Sequence, residues 1–323
     1  MISINEHVMP SVKHLIEHAE QLGCRSFRLP SGAHVIDMGI HVPGGWEAAR
    51  LFTEIDIACL GRVSYRDYSL ASGIHVPAVE VYADNPHLGC LLSQIAGWKL
   101  TDGEFAAIGS GPARALAVDP DDHCFDLHPY RDSADSAVLG LQMTELPDDA
   151  LALKAAEACR VDPEHLYLLV HASTSLTASV QVSARIIEQT INKMIKKSFD
   201  LDQILFARGL CLVAPVCDDE LEAMGRINDS LLYGGFSCFQ VRSDDDQISR
   251  VIGELVTESS RDYGRLFKDL FLEAGKNFYN MDLDIHSPAQ VQIYNINSGN
   301  LFTAGRIRED IIEASYFGRS NAR

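Results

Sequence analysis

Apolar residues recur at helical spacing through residues 5–22, with Val8, Val12, Leu15, Ile16, Ala19 and Leu22 near one face, and predict an amphipathic helix. The period then changes. His34–Met38 is a short apolar run closed by Gly39, the pattern of a strand, and Pro43-Gly44-Gly45 opens a second helical pattern from Trp46 to Phe52. Ile55–Val63, Ala78–Tyr82 and Phe105–Ile108 are β-rich, whereas residues 119–136, dense in Asp, Pro and His, predict a surface loop. Ala137–Met143 reads as a buried strand and Asp148–Cys159 as a helix.

The second half repeats this alternation. Strands are expected at Leu166–Val170, Ile204–Val213, Ser237–Val241, 289–294 and 300–304. Between them lie one long helix over Ser179–Lys197, another over Asp218–Leu232 stopped by Gly234-Gly235, and two more near 246–257 and 264–274, with Asp244–Asp246 as a turn or cap. Interleaved strands and helices place the chain in the α/β class. There is no internal repeat, and the Asp162-Pro163 break suggests an N-terminal α/β domain over 1–163 and a C-terminal one over 164–323.

Charge changes the picture. The 323 residues carry 27 Lys and Arg against 45 Asp and Glu, a formal charge of −18, so phosphate backbones and anionic lipids are repelled unless a basic patch offsets it. The densest basic cluster, Lys193, Lys196 and Lys197, reads as a helix end, so neither nucleic acid nor membrane is an expected partner. No apolar stretch approaches the roughly 20 residues that span a bilayer, and the first residues lack the build of a signal peptide. The eight cysteines are scattered and form no C-x-x-C pair, which suits reduced thiols and a cytoplasmic protein.

Four constellations bear chemistry. His14, Glu17 and His18 spell H-x-x-E-H, the inverted zincin pattern, but a third ligand and a cleft are also required and a solvated helix face explains the same spacing; no metal is expected. Gly109-Ser110-Gly111-Pro112-Ala113-Arg114 describes strand, turn and helix start, with backbone N–H groups and Arg114 able to hold an anion, or else a tight structural turn. It completes neither nucleotide-binding glycine motif. Arg185 and Glu188, three apart, share a helix face in an apolar segment preceded by the hydroxyl-rich run 172–179; a surface ion pair has the same spacing. Asn228, Asp229 and Tyr233 sit at a helix-to-strand transition, where a cap and turn account for them. No G-x-S-x-G elbow is present.

Several segments match one family in order and spacing: SINEHVMPSVKHLIEHAE, VIDMGIHVPGGWEAARLFTEI, AIGSGPARALA, SVQVSARIIEQTINKM, APVCDDELEAMGRINDSLLYGG and SPAQVQIYNINSG. In these the chain resembles the methenyltetrahydromethanopterin cyclohydrolases nearly from end to end. The resemblance implies addition of water to the methenyl carbon of 5,10-methenyl-tetrahydromethanopterin, giving the N5-formyl compound, within formaldehyde oxidation or a methanogenesis-type pathway. It also implies an α/β fold of two domains with a large pocket between them, a homotrimer, a pterin substrate and no metal or redox cofactor.

By the same resemblance the catalytic pair falls on Arg185 and Glu188. The implied base is Glu188, which accepts the water proton and passes it to N10; Arg185 aligns the carboxylate and steadies the developing oxyanion. Gly109, Ser110, Gly111 and Arg114 become candidates for the anionic end of the substrate, and Asn228, Asp229 and Tyr233 for the pocket wall. One departure is His286, which stands before Ser287-Pro288 where an aromatic or apolar residue is expected. Two other readings compete: a non-catalytic binder of the same carrier, and a folate cyclohydrolase, which would bring a nucleotide fingerprint that this chain lacks.

Overall fold

The computed structural model describes residues 2–102, 105–117, 123–277 and 280–318. The chain forms two compact units: Met1–Arg62 with His87–Gln181, and Val63–Pro86 with Val182–Arg323. The expected break at 163/164 therefore moves. The strand Leu166–His171 hydrogen-bonds within the sheet of the first unit, and a segment from the N-terminal half belongs to the second. Strand pairing joins residues distant in sequence, which a composition break does not report.

The first unit is built on β1 (Arg25–Arg28), β2 (His34–Asp37), β5 (Trp98–Asp102), β6 (Phe105–Ser110), β7 (Ala137–Gln142) and β8 (Leu166–His171), in the order β1-β2-β8-β7-β6-β5. The three central strands β2, β8 and β7 run parallel, and the outer strands antiparallel. Successive residues of the parallel strands point to opposite faces. Ile36, Val138 and Leu169 pack against α1 (Ile4–Glu17) and α2 (Trp46–Asp56), while Val35, Leu139 and Leu168 pack against α4 (Asp149–Cys159). Burial on both faces explains why these strands read as continuous apolar runs.

The second unit holds β3 (Gly61–Ser69), β4 (His75–Ala83), β9 (Ile204–Leu212), β10 (Gly235–Val241), β11 (Gln290–Asn295) and β12 (Leu301–Gly305), in the order β12-β11-β10-β9-β4-β3. Its sheet is mainly antiparallel, with β10 and β11 parallel. Its helices are α6 (Ile186–Lys196), α7 (Glu220–Gly234), α8 (Asp245–Val251), α9 (Phe267–Glu273) and α10 (Glu309–Phe317). The expected β-rich run from Ile55 is corrected at its start. Ile55 continues the apolar face of Ala48, Leu51 and Phe52, so α2 persists to Asp56 before a turn with left-handed Ala58 and Cys59. The expected loop at 119–136 lies partly outside the described residues, and 123–126 is a 3-10 turn.

Candidate functional site

The long helix expected over Ser179–Lys197 is two helices, α5 (Leu176–Ser183) and α6, broken at Ala184 and Arg185. No proline or glycine marks the break. The Ser183 hydroxyl donates to the Leu212 carbonyl of β9 at 2.9 Å, and the Arg185 N–H turns back to the Val182 carbonyl at 3.0 Å in a tighter i→i−3 bond. Arg185 has ψ near 6°, far from the helical value, which re-aims the chain. Ile186 then settles over two strand glycines: a Cβ on Gly209 would lie 2.2 Å from its Cγ2, and one on Gly235 2.2 Å from its Cδ1. Thr190 and Ser237 add a hydroxyl contact of 2.9 Å. The anchoring residues are small or β-branched, so α6 lies close on β9 and β10.

The break decides the electrostatics. Arg185 becomes the N-cap residue of α6 and Glu188 falls in its first turn, where the helix dipole favours a carboxylate. The two side chains are 9% and 11% exposed, with Arg185 Nη1 3.9 Å from Glu188 Oε2. A pair this buried differs from the solvated ion pair that the same spacing often means, because low water content strengthens its field on any bound ion. Helical rotation puts Arg185, Glu188, Gln189, Asn192 and Lys196 on the side of α6 turned away from Ile186, Ile187 and Thr190, which face the sheet. Gln189 is buried, and its Oε1 has no hydrogen-bond partner among the described residues.

In the first unit, Gly109, Ser110, Gly111 and Arg114 form the strand-turn-helix that the sequence suggests, but its donors already have partners. The Gly111 N–H donates to the Ser93 carbonyl at 2.8 Å, Ala113 N–H to Val138 at 2.9 Å, and Arg114 N–H to Gly111 at 3.2 Å. The Ser110 hydroxyl donates to Asp56 Oδ1 at 2.7 Å. Arg114 is 2% exposed, donates to the Leu92 carbonyl at 2.7 Å and lies over the Phe125 ring. The helix that follows, α3, is only Arg114–Ala117. The turn thus braces a buried π-helix at His87–Gln94, its N–H groups at Gly111, Ala113 and Arg114 being taken up by backbone carbonyls.

The second unit treats the other three candidates likewise. Asp229 Oδ1 accepts the Phe267 N–H that opens α9 at 2.8 Å, and its Oδ2 accepts the Ser315 hydroxyl of α10 at 2.7 Å. Burial pushes this carboxyl up to about 7. Tyr233 is fully buried, donates to the Arg265 carbonyl at 2.6 Å and accepts from Gly264 N–H at 3.1 Å. Asn228 donates to Met224 one turn back at 2.8 Å. Asp229 and Tyr233 thus tie α7 to its neighbours, whereas the Asn228 bond stays within α7.

His14 and Glu17 are exposed, and His18 is the C-cap of α1 with φ −116°, past the last helical residue. Among the described residues no group of three His, Cys, Asp or Glu is placed to hold a metal ion. His286 packs edge-on to Phe267 with centroids 5.9 Å apart. Burial, then the Lys196 and Lys193 cations, pushes it down to about 4, so it fills an aromatic slot as a neutral ring. Sequence reasoning passed over Asp37, at the carboxyl end of β2, whose fully buried carboxylate accepts the N–H groups of Gly39, Ile40 and His41. With Gln142 and Ser173, hydrogen-bonded at 2.9 Å, it lies at the carboxyl ends of the parallel strands, the customary ligand side of open α/β sheets. The signal was there to use, a strand ending Asp-Met-Gly.

Residues 3–316 match the protein family described as Cyclohydrolase (MCH). A protein of Methanocaldococcus jannaschii named methenyltetrahydromethanopterin cyclohydrolase is 36% identical over 321 residues, covering 98% of each chain. Proteins of the same name from Methanococcus maripaludis strain S2 and Methanothermobacter marburgensis are 38% and 36% identical, covering 98% of this chain and 98% and 99% of their own.

Proposed function

The chain belongs to the methenyltetrahydromethanopterin cyclohydrolase family, and from that premise we propose that it hydrolyses 5,10-methenyl-tetrahydromethanopterin to the N5-formyl compound, with Glu188 and Arg185 as the catalytic pair. The observation that carries the assignment of residues is the buried pair at the head of α6, 3.9 Å apart within one helical turn. The methenyl carbon lies between two nitrogens and shares their positive charge. Water oxygen bonds to that carbon while Glu188 takes one of its protons. The C–N10 bond then breaks, N10 receives the proton from Glu188, and the second water proton leaves as the carbonyl forms. One proton is released overall, and no electrons change hands. Arg185 sets the direction of the carboxylate and compensates the negative charge growing on oxygen.

Because the carbon is already a cation and the step is redox-neutral, the reaction needs neither a Lewis acid nor an electron carrier. The test follows the methenyl chromophore with EDTA-treated protein. Loss far above the buffer rate is expected; none from folded protein would leave a carrier-binding protein as the reading.

No helix among the described residues is long and apolar enough to cross a membrane; the cytoplasm is the proposed compartment. The protein is further proposed to assemble as a homotrimer. The sheet of the second unit carries α6 on one face, while the other presents Tyr82, Phe206, Tyr294 and Leu301, each more than 40% exposed. Leu301, Tyr294, Gln240 and Phe206 align across four adjacent strands. So much apolar surface on one sheet face suits contact with a second copy of the chain. Light scattering should give the mass of three subunits, and the mass of one would overturn the assembly.

A further inference from the structure

We propose that Gln189 is a further substrate-site residue, its Oε1 accepting a hydrogen bond from an N–H of the bound pterin or from the attacking water. The inference deepens the cyclohydrolase reading and rests on it. Gln189 follows the proposed base directly and stands one turn beyond Arg185, whose carbonyl accepts its backbone N–H at 2.8 Å. The residue is thereby held in the helix directly after the turn that carries Glu188. The residue is 8% exposed and its Oε1 is closed to solvent without a hydrogen-bond partner among the described residues. A buried acceptor left unmade is unfavourable, and buried polar atoms in folded proteins are nearly always paired. The contacts of α6 with β9 and β10 come from Ile186, Ile187 and Thr190.

The substrate supplies what the acceptor lacks. A pterin head bears several N–H donors and few apolar edges, and the nucleophilic water has a second O–H once Glu188 has taken the first. An oxygen acceptor beside the base fits either donor. Arg185 offers only donors and Glu188 is engaged with the transferring proton, so the carboxamide oxygen adds a function that the pair does not contain.

Gln189→Met tests this, since an unbranched thioether fills the same volume and suits a helix but accepts hydrogen bonds poorly. We expect kcat/KM to fall roughly 10- to 100-fold, the worth of one buried hydrogen bond to a reacting or charged group, while the melting temperature holds or rises. A fall carried by KM assigns the donor to the pterin, and a fall carried by kcat assigns it to the water. Gln189→Glu keeps an acceptor oxygen at the same reach; it should retain more activity than the Met variant and stands in should the Met variant not fold. Wild-type kinetics within twofold in the Met variant would overturn the inference while leaving the cyclohydrolase reading intact. An inactive wild type would remove both.

Discussion

Glu188→Gln is expected to lower kcat by about 10³-fold, within the 10²- to 10⁴-fold range of a positioned general base. The amide preserves shape and the capacity to accept a hydrogen bond, but it cannot take a proton from water or deliver one to N10. It also withdraws a negative charge from beside a cationic substrate, so KM should rise several-fold. Folding is checked alongside, because Glu188 is 11% exposed and 3.9 Å from Arg185, so the variant removes the carboxylate of a buried pair and should lower the melting temperature. Stopped-flow decay of the methenyl absorbance, with circular dichroism on the same sample, separates the two effects. Arg185→Lys, which keeps the charge but loses the planar fork, should fall between wild type and Glu188→Gln. A kcat for Glu188→Gln within tenfold of wild type would remove Glu188 from the role of base.

The order of these effects follows from what was legible in the sequence. Arg185 and Glu188 stood out because their spacing, apolar surroundings and family resemblance agreed, and α6 delivers both to one turn. The break before them was not legible, because long-range contacts impose it: Ser183 reaching Leu212, and Ile186 filling the space over Gly209 and Gly235. The partners of the Gly109–Arg114 turn were hidden for the same reason. Its local conformation follows from Gly111, whose φ is +101°, and from Pro112. The carbonyls that occupy its N–H groups, at Ser93 and Val138, come from elsewhere in the chain. Secondary structure followed suit. The parallel strands β2, β7 and β8 were plain from apolar runs, whereas β1, bounded by Arg25 and Arg28, carries too little apolar signal over Arg25–Arg28 to stand out. Local pattern sets elements and turns, while the identity of a hydrogen-bond partner is a tertiary property.

Asp229 carries the largest expected effect on stability, and its sign is set by burial. Its ordinary value of 3.8 is raised to about 7, chiefly by desolvation, against the opposing hydrogen bonds from Ser315 and the Phe267 N–H. Below pH 4 the carboxyl is protonated in folded and unfolded chains alike, and the contribution to stability is fully present. Between about pH 4 and 7 the unfolded chain gives up its proton and the folded chain keeps it, so stability falls as pH rises; above the folded value the loss is complete. At 1.36 kcal/mol per unit this amounts to at most about 4 kcal/mol, and relaxation around the group will reduce it. Asp229→Asn removes the dependence and keeps the contacts. Its oxygen can still accept the Phe267 N–H, and its amide can donate to Ser315. The variant should match wild type in urea unfolding at pH 4, exceed it by about 2–4 kcal/mol at pH 8, and show a flatter pH profile between. A variant less stable than wild type at pH 8, by a margin that widens with pH, would mean that the N–H at the start of α9 holds Asp229 as a carboxylate. In that case the link between α7, α9 and α10 is an ionic cap, with its helix dipole outweighing desolvation.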